Sequence, residues 1–150
     1  MTVGDVMTTH VLTVQEDASY HDVVNILLQK KITGIPVVDS QGRLCGIISE
    51  KDLFHSLFPS PEEFYGDMAF YKNYENIEHD ASKISDMCAG DIMTKEVITV
   101  SPQHHVLVAC SLIAVHHVRR LPVVDEEKLV GIVTTNNLYR NYLSKFFGGE

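Results

Sequence analysis

Apolar residues recur along this chain in two alternating rhythms. Short runs at 11–14 (VLTV), 36–38 (PVV) and 44–48 (LCGII) have the length and β-branched content of strands. Between the first two runs, Val23, Val24, Leu27 and Leu28 follow the i, i+1, i+4, i+5 spacing of a helix that covers a core. The polar turn SQGR (40–43) joins the second and third strands as an antiparallel hairpin, and another helix starts after Ser49. The first part of the chain thus reads β-α-β-β-α. The same order returns later: a brief strand Val97–Val100, a helix with Val108, Ala109, Leu112 and Ile113 inward, the strands PVVD and LVGIV, and a helix after Thr134.

The two readings agree because the chain repeats itself. GDVMTTHVLTV at 4–14 and GDIMTKEVITV at 90–100 are identical at seven of eleven positions without gaps. ITGIPVVD (32–39) matches VRRLPVVD (118–125) at an offset of 86, and GIISEKDL (46–53) matches GIVTTNNL (131–138) at 85. The second hairpin turn is therefore one residue shorter. Such self-similarity sets the architecture. We expect an α+β fold of two β-α-β-β-α repeats, 1–58 and 87–150, with 59–86 as a helical insert. One copy buries little surface alone, so the two are expected to pack sheet to sheet with pseudo-twofold symmetry and share a core.

Composition narrows the function. The 150 residues are 45% hydrophobic and 21% charged, as in ordinary folded domains. A net charge of −8 argues against nucleic acid and acidic membrane surfaces as partners, so any phosphate must meet a local cluster of positive charge. No run reaches the ~18–20 apolar residues of a membrane span. The start, MTVGDVMTTH, lacks the basic and apolar regions of a signal peptide. Cys45, Cys88 and Cys110 are odd in number and far apart, which fits reduced thiols in a cytoplasmic protein. His104–His105 and His116–His117 point to different sides of a helix, with no Cys or carboxylate at ligand spacing, so no metal is expected. Nothing resembles a nucleophile elbow, a Walker loop or a glycine-rich dinucleotide turn, and no catalytic residue is assigned.

Three places carry candidate chemistry. Ser49 and Asp52 precede an apolar residue at capping-box spacing, so Ser49 can cap a helix and Asp52 can return to the backbone. The alternative is that both face a ligand, the carboxylate accepting from two neighbouring hydroxyls of a ribose. The second repeat has Thr134 and Asn137 there, an amide that still offers one acceptor oxygen but gives up the charge-assisted pair. Arg119 and Arg120 stand where the first repeat has Thr33 and Gly34. Adjacent guanidinium groups suit a phosphate, and they suit equally a surface ion pair with Glu126 or Glu127.

The GD-h-MT lead, the h-x-x-h-PVVD strand and the G-h-h-[ST]-x-x-[DN] close, each present twice and in order over about 4–53 and 90–143, resemble the CBS domain, and the pair resembles a Bateman module. The resemblance implies a regulatory module without chemistry of its own. Such modules bind AMP, ADP or ATP, in some members S-adenosylmethionine or NAD, in clefts between the repeats. They often form homodimers and pass occupancy to an effector, here a protein in trans. It implies Asp52 as a ribose ligand and Arg119 and Arg120 as phosphate ligands. The implied adenine slot is drawn from Val11, Leu12, Ile32, Thr33, Gly34, Ile35 and Pro36, with Val97, Ile98, Val118, Leu121 and Pro122 on the other side. Asn137 departs from the commoner acid, so two unequal clefts are expected. The alternative is a structural dimerisation module with vestigial clefts.

The stretch 54–86 holds seven of the twelve aromatic residues and seven acids against two lysines. Ser60-Pro61-Glu62-Glu63 predicts a helix start, with Phe64, Met68 and Tyr71 along one face. This helix either covers the module's own edge or forms a dimer or effector contact. Phe146 and Phe147 in the tail can pack likewise on a second chain.

Overall fold

The hydrophobic rhythm folds into two small sheets flanked by helices. A computed structural model describes residues 1–148, with the side chains of residues 80, 81 and 83 outside that description. In chain order the elements are α1 (Val3–Val6), β1 (Val14–Gln15), α2 (Tyr20–Lys30), β2 (Gly34–Val38), β3 (Leu44–Ser49), α3 (Glu50–Leu57), α4 (Pro61–Gly66), α5 (Met68–Tyr71) and α6 (Tyr74–Ser82). Then follow α7 (Ala89–Ile92), α8 (Val106–His116), β4 (Arg120–Asp125), β5 (Lys128–Thr134), α9 (Thr135–Leu138) and α10 (Ser144–Phe147).

One sheet has the order β1-β2-β3, with β1 parallel to β2 through Val14↔Val37 and Gln15↔Val38. The other is the antiparallel hairpin β4-β5, joined by the two-residue turn Glu126–Glu127. The expected strands at 11–14 and 97–100 are shorter than predicted. Only Val14 enters a ladder in the first repeat, and in the second Val100 alone bridges Val123. A strand exists where a neighbour satisfies its backbone, and these are the residues that reach one. The helix stripe is also displaced from its expected positions. Leu28 is 71% and Val108 39% exposed, whereas Tyr20, Val23 and Leu27 in α2, and Val106 and Ala109 in α8, face inward. Val106, not Val108, is the counterpart of Tyr20 and opens the inward face.

By packing, the chain divides into two compact units that interleave its sequence. One comprises 1–12, 40–44 and 96–150; the other comprises 13–39 and 45–95. Each therefore holds the lead of one repeat and most of the body of the other. Each unit encloses an apolar cluster of its own. Val14, Val23, Leu27, Ile35, Val37 and Ile48 are joined by Ala89 and Ile92 from the second lead. Val100, Val106, Ala109, Leu121, Val123 and Val133 are joined by Val3 and Val6 from the first lead. The borrowed lead supplies apolar surface that one repeat lacks.

The repeated motifs hold the leads in place. The Asp5 carboxylate accepts from the Thr2 backbone N–H at 2.7 Å, and Asp91 from that of Cys88 at 3.0 Å, capping α1 and α7. These backbone bonds, aided by the Thr2 hydroxyl and the Cys88 thiol, hold both carboxyls below their ordinary pKa of 3.8. Each lead then runs against the closing strand of its unit: Thr94 bridges Ile47, and Thr8 bridges Ile132. The glycine of each closing motif permits this approach. A Cβ on Gly46 would lie 2.6 Å from Met93 Sδ and 2.8 Å from the Thr94 carbonyl oxygen. On Gly131 it would lie 2.6 Å from Met7 Sδ and 3.0 Å from the Thr8 carbonyl oxygen.

Candidate ligand-binding site

The closing motifs end in two side-chain clusters, one in each unit. In the first, Ser49 is the N-cap of α3 and Asp52 its third residue. Asp52 Oδ2 accepts from the Ser49 backbone N–H at 2.7 Å and from its hydroxyl at 3.1 Å. The capping reading therefore holds. The other carboxylate oxygen, Oδ1, accepts from the Thr94 hydroxyl at 2.8 Å. A carboxylate offers roughly four lone-pair sites, so three donors leave about one open. A diol that is to engage Oδ1 with both hydroxyls has to displace Thr94.

The second cluster has the same frame with opposite sense. Asn137 Oδ1 accepts from the Thr134 backbone N–H at 2.9 Å and from its hydroxyl at 2.8 Å, and the Asn137 N–H donates back to Thr134 Oγ1 at 3.2 Å. The backbone donor fixes the amide orientation, because only oxygen can accept from it. Both lone pairs of that oxygen are thus engaged. The acceptor expected to remain for a ligand is committed to the helix cap. The Asn137 amino group points to Thr8 and donates to its hydroxyl at 3.4 Å. Thr94 spends its proton on Asp52; Thr8 receives a bond from Asn137 and keeps its own proton. One cluster presents acceptors, the other donors.

Neither Thr8 nor Thr94 appears among the candidates drawn from the sequence. Their signal was the final residue of GD-h-MT, an identical polar residue in both copies beside an apolar stretch. What hid them is topology, since each threonine serves the closing motif of the opposite repeat.

Arg119 and Arg120 belong to the donor unit. Arg120 opens β4 in register with Thr134, and the Arg119 carbonyl accepts from the Thr135 N–H at 3.1 Å. Thr33 plays the same backbone role in the acceptor unit, its carbonyl accepting from the Glu50 N–H at 3.0 Å. The two arginines thus sit beside the start of α9, with Thr8, Thr134 and Asn137 in the same unit. The apolar candidates divide by burial. Ile35, Pro36, Leu121 and Pro122 are fully enclosed and Gly34 is buried, so these serve the interior. Val11, Ile32, Val97, Ile98 and Val118 are half-buried, while Leu12 and Thr33 are exposed. Only these seven retain surface for a ligand.

The histidine pairs have local duties. His104 Nδ1 accepts from the Ser101 N–H at 3.3 Å, and His105 Nδ1 accepts from the Leu107 N–H at 3.2 Å. His117 ends α8 in the left-handed conformation at φ 53°. Among the described residues no group of three His, Cys, Asp or Glu side chains is placed to hold a metal. Cys45, Cys88 and Cys110 are free thiols, and burial pushes the Cys110 thiol pKa up.

Two copies of one α+β repeat, each closing on a capped Ser/Thr–Asp/Asn pair, define a tandem-repeat protein. The CBS domain family model matches residues 3–58 and 89–144, and the chain belongs to that family. It is 32% identical over 93% of its length to the CBS domain-containing protein CBSX2, chloroplastic, of Arabidopsis thaliana, and spans 62% of that relative. Among solved structures it resembles CBSX2 in complex with AMP, at 32% identity and a TM-score of 0.73, covering 97% of this chain and 98% of that one. It also resembles the CBS domain pair of protein MJ0100 in complex with 5-methylthioadenosine and S-adenosyl-L-methionine, at 25% identity and a TM-score of 0.69, covering 97% and 98%. Among the described residues no helix is long and apolar enough to cross a membrane.

Proposed function

We propose that this protein is a regulatory module of the cytoplasm that binds an adenosine-containing nucleotide of the AMP, ADP or ATP class and passes its occupancy to a partner protein. It performs no reaction on the nucleotide. Asp52 takes the ribose, its free acceptor site and the site now held by Thr94 receiving the two hydroxyls. In the unit of Asn137, Arg119 and Arg120 take the phosphate of a nucleotide bound there, which guanidinium groups bind bidentately. Accessible apolar surface that suits a flat purine is offered by Ile32 in the unit of Asp52 and by Val11, Leu12, Val97, Ile98 and Val118 in the unit of Asn137. The observation that supports this reading most is the acceptor cluster at Asp52, in a chain that resembles a solved AMP complex over nearly its whole length.

Asn137 favours a second reading for its own cluster. With its oxygen committed to the cap, that cluster offers donors, so it receives an acceptor such as a phosphate or carbonyl oxygen in preference to a ribose. The two clusters then contribute unequally to nucleotide recognition.

Calorimetric titration with AMP, ATP, S-adenosylmethionine and NADH tests the proposal. Heat with AMP or ATP is the expected result. No heat with any of the four would leave a structural module as the better account. In the same experiment the double variant Arg119→Ala/Arg120→Ala should lose more affinity for AMP than for adenosine; equal losses would remove the phosphate role.

A further inference from the structure

We infer that the surface formed by residues 56–79 docks a basic, amphipathic segment of a partner protein. The inference rests on the reading of this chain as a regulator of a partner and names the chemistry of that partner. This region lies outside both CBS domain matches except at its first three residues. It is nonetheless built rather than loose. Ser60 caps α4, with Pro61 at the first helical position and Glu63 returning to the Ser60 N–H at 2.9 Å. The predicted single helix breaks at Asp67, whose carboxylate caps α5 by accepting from the Phe70 N–H at 3.3 Å. The break folds the segment back, so that Phe64 stacks on Tyr71 with ring centroids 6.0 Å apart.

The fold-back leaves a cavity of about 210 Å³, lined by Leu57, Phe58, Pro59, Tyr71 and Ile77 with Glu63 among them. That volume suits one large side chain, and the polar surface that Ser56 and Glu63 add to the lining calls for an apolar body with a polar tip, as in Trp or Tyr. Around it Tyr65 is 71%, Tyr74 68% and Met68 41% exposed. Aromatic and Met side chains of this kind carry binding energy at interfaces, and each here is dressed with acids. Glu62, Glu63, Asp67, Glu75 and Glu78 are all exposed, against Lys72 as the one Lys or Arg over 56–79. An occupant with one such anchor, Trp or Tyr, and flanking Lys or Arg residues matches both features. A second copy of this chain meeting the same surface by twofold symmetry would set acids against acids, and an anionic membrane would be repelled in the same way.

The chain has no Trp, so a synthetic Lys/Leu helical peptide with a single Trp reports its own binding by fluorescence. A Glu/Leu peptide with the same Trp is the control. The 150-residue chain should bind the basic peptide, more weakly as salt rises, and leave the acidic one unbound. The triple variant Glu62→Lys/Glu75→Lys/Glu78→Lys should weaken binding at least about tenfold. Ile77→Phe, which fills the cavity without adding a Trp, should weaken it with the charges intact; circular dichroism confirms that each variant is folded. Equal binding of both peptides, no binding of either, or unchanged binding by the charge-reversed protein would overturn the inference. Wild type that sediments as a dimer and turns monomeric on charge reversal would assign the surface to a second copy, and binding to anionic vesicles would assign it to a membrane. Titrating AMP in parallel keeps the two proposals apart, because failure of AMP to bind sinks the nucleotide reading and leaves the peptide result standing.

Discussion

The unit around Asp52 and the unit around Asn137 share a backbone plan and differ in the direction of one hydrogen bond. In both, a lead threonine reaches the third residue of a helix that starts at a Ser or Thr cap. Thr94 donates to Asp52, whereas Thr8 accepts from Asn137. A change from carboxylate to amide therefore alters more than charge. It reverses which partner holds the proton and turns a set of acceptors into a set of donors. Duplication produced two equal frames, and one substitution gave them opposite chemistry.

The shared part of the plan is the more costly to disturb. Gly46→Ala and Gly131→Ala each place a methyl group against the lead that crosses the strand, and overpacking of this kind costs about 1–3 kcal/mol. For a chain of this size about 2–4 °C of melting temperature is lost per kcal/mol. The Gly46 variant should be the less stable of the two, since its Cβ meets the Thr94 carbonyl oxygen at 2.8 Å and Met93 Cγ at 2.8 Å, against 3.0 and 3.1 Å for their counterparts at Gly131. Differential scanning calorimetry of both variants measures this. Unchanged melting temperatures would mean that the leads do not dock on the closing strands.

The hairpin turns separate the units further. The longer turn of the first repeat has Gly42 at φ 79°, whereas the shorter one places Glu126 at φ 47° and Glu127 at φ 69°. Two glutamates in left-handed backbone is an unfavourable choice for a two-residue turn that favours Asn-Gly. Glu127→Gly should raise stability by about 0.5–1 kcal/mol, read as a higher urea midpoint with an unchanged slope. A lower midpoint would mean that the glutamate side chain contributes more than its backbone strain.

The smallest effect is one the units have in common. The carboxyls of Asp5 and Asp91 have pKa values depressed in the folded state, so the stability they contribute is present above 3.8 and is lost as pH falls through the folded values. Asp5→Asn and Asp91→Asn should each flatten the acid limb of a stability–pH curve below about pH 3.8 and by similar amounts. An effect confined to one of them would break the equivalence of the leads.

Much of this was legible in the sequence. Each of the six repeated motifs marks a local device: a capped lead, a buried strand or a capped helix start, whose residues are neighbours in the chain. The helix starts at Ser49, Ser60 and Thr134 were readable because a cap and its partner lie three residues apart. The interleaving of the units was not readable, because no local pattern states that Thr94 meets Asp52 or that Ala89 and Ile92 complete the core of the other repeat. For the same reason the oxygen of Asn137 looked available. Its two donors both come from Thr134, but only the folded turn shows that they exhaust it. The break at Asp67 escaped the periodicity as well, since Phe64, Met68 and Tyr71 keep helical spacing across it.

The most direct test of opposite chemistry is adenosine titration of wild type, Asp52→Asn and Asn137→Asp by calorimetry. Asn preserves the cap, as Asn137 itself does for Thr134, so Asp52→Asn should melt close to wild type. The account predicts that Asp52→Asn weakens adenosine about tenfold, as expected for the loss of a charge-assisted contact. It predicts also that Asn137→Asp creates a ribose-accepting cluster and raises adenosine uptake. Adenosine affinity unmoved by either substitution would contradict it.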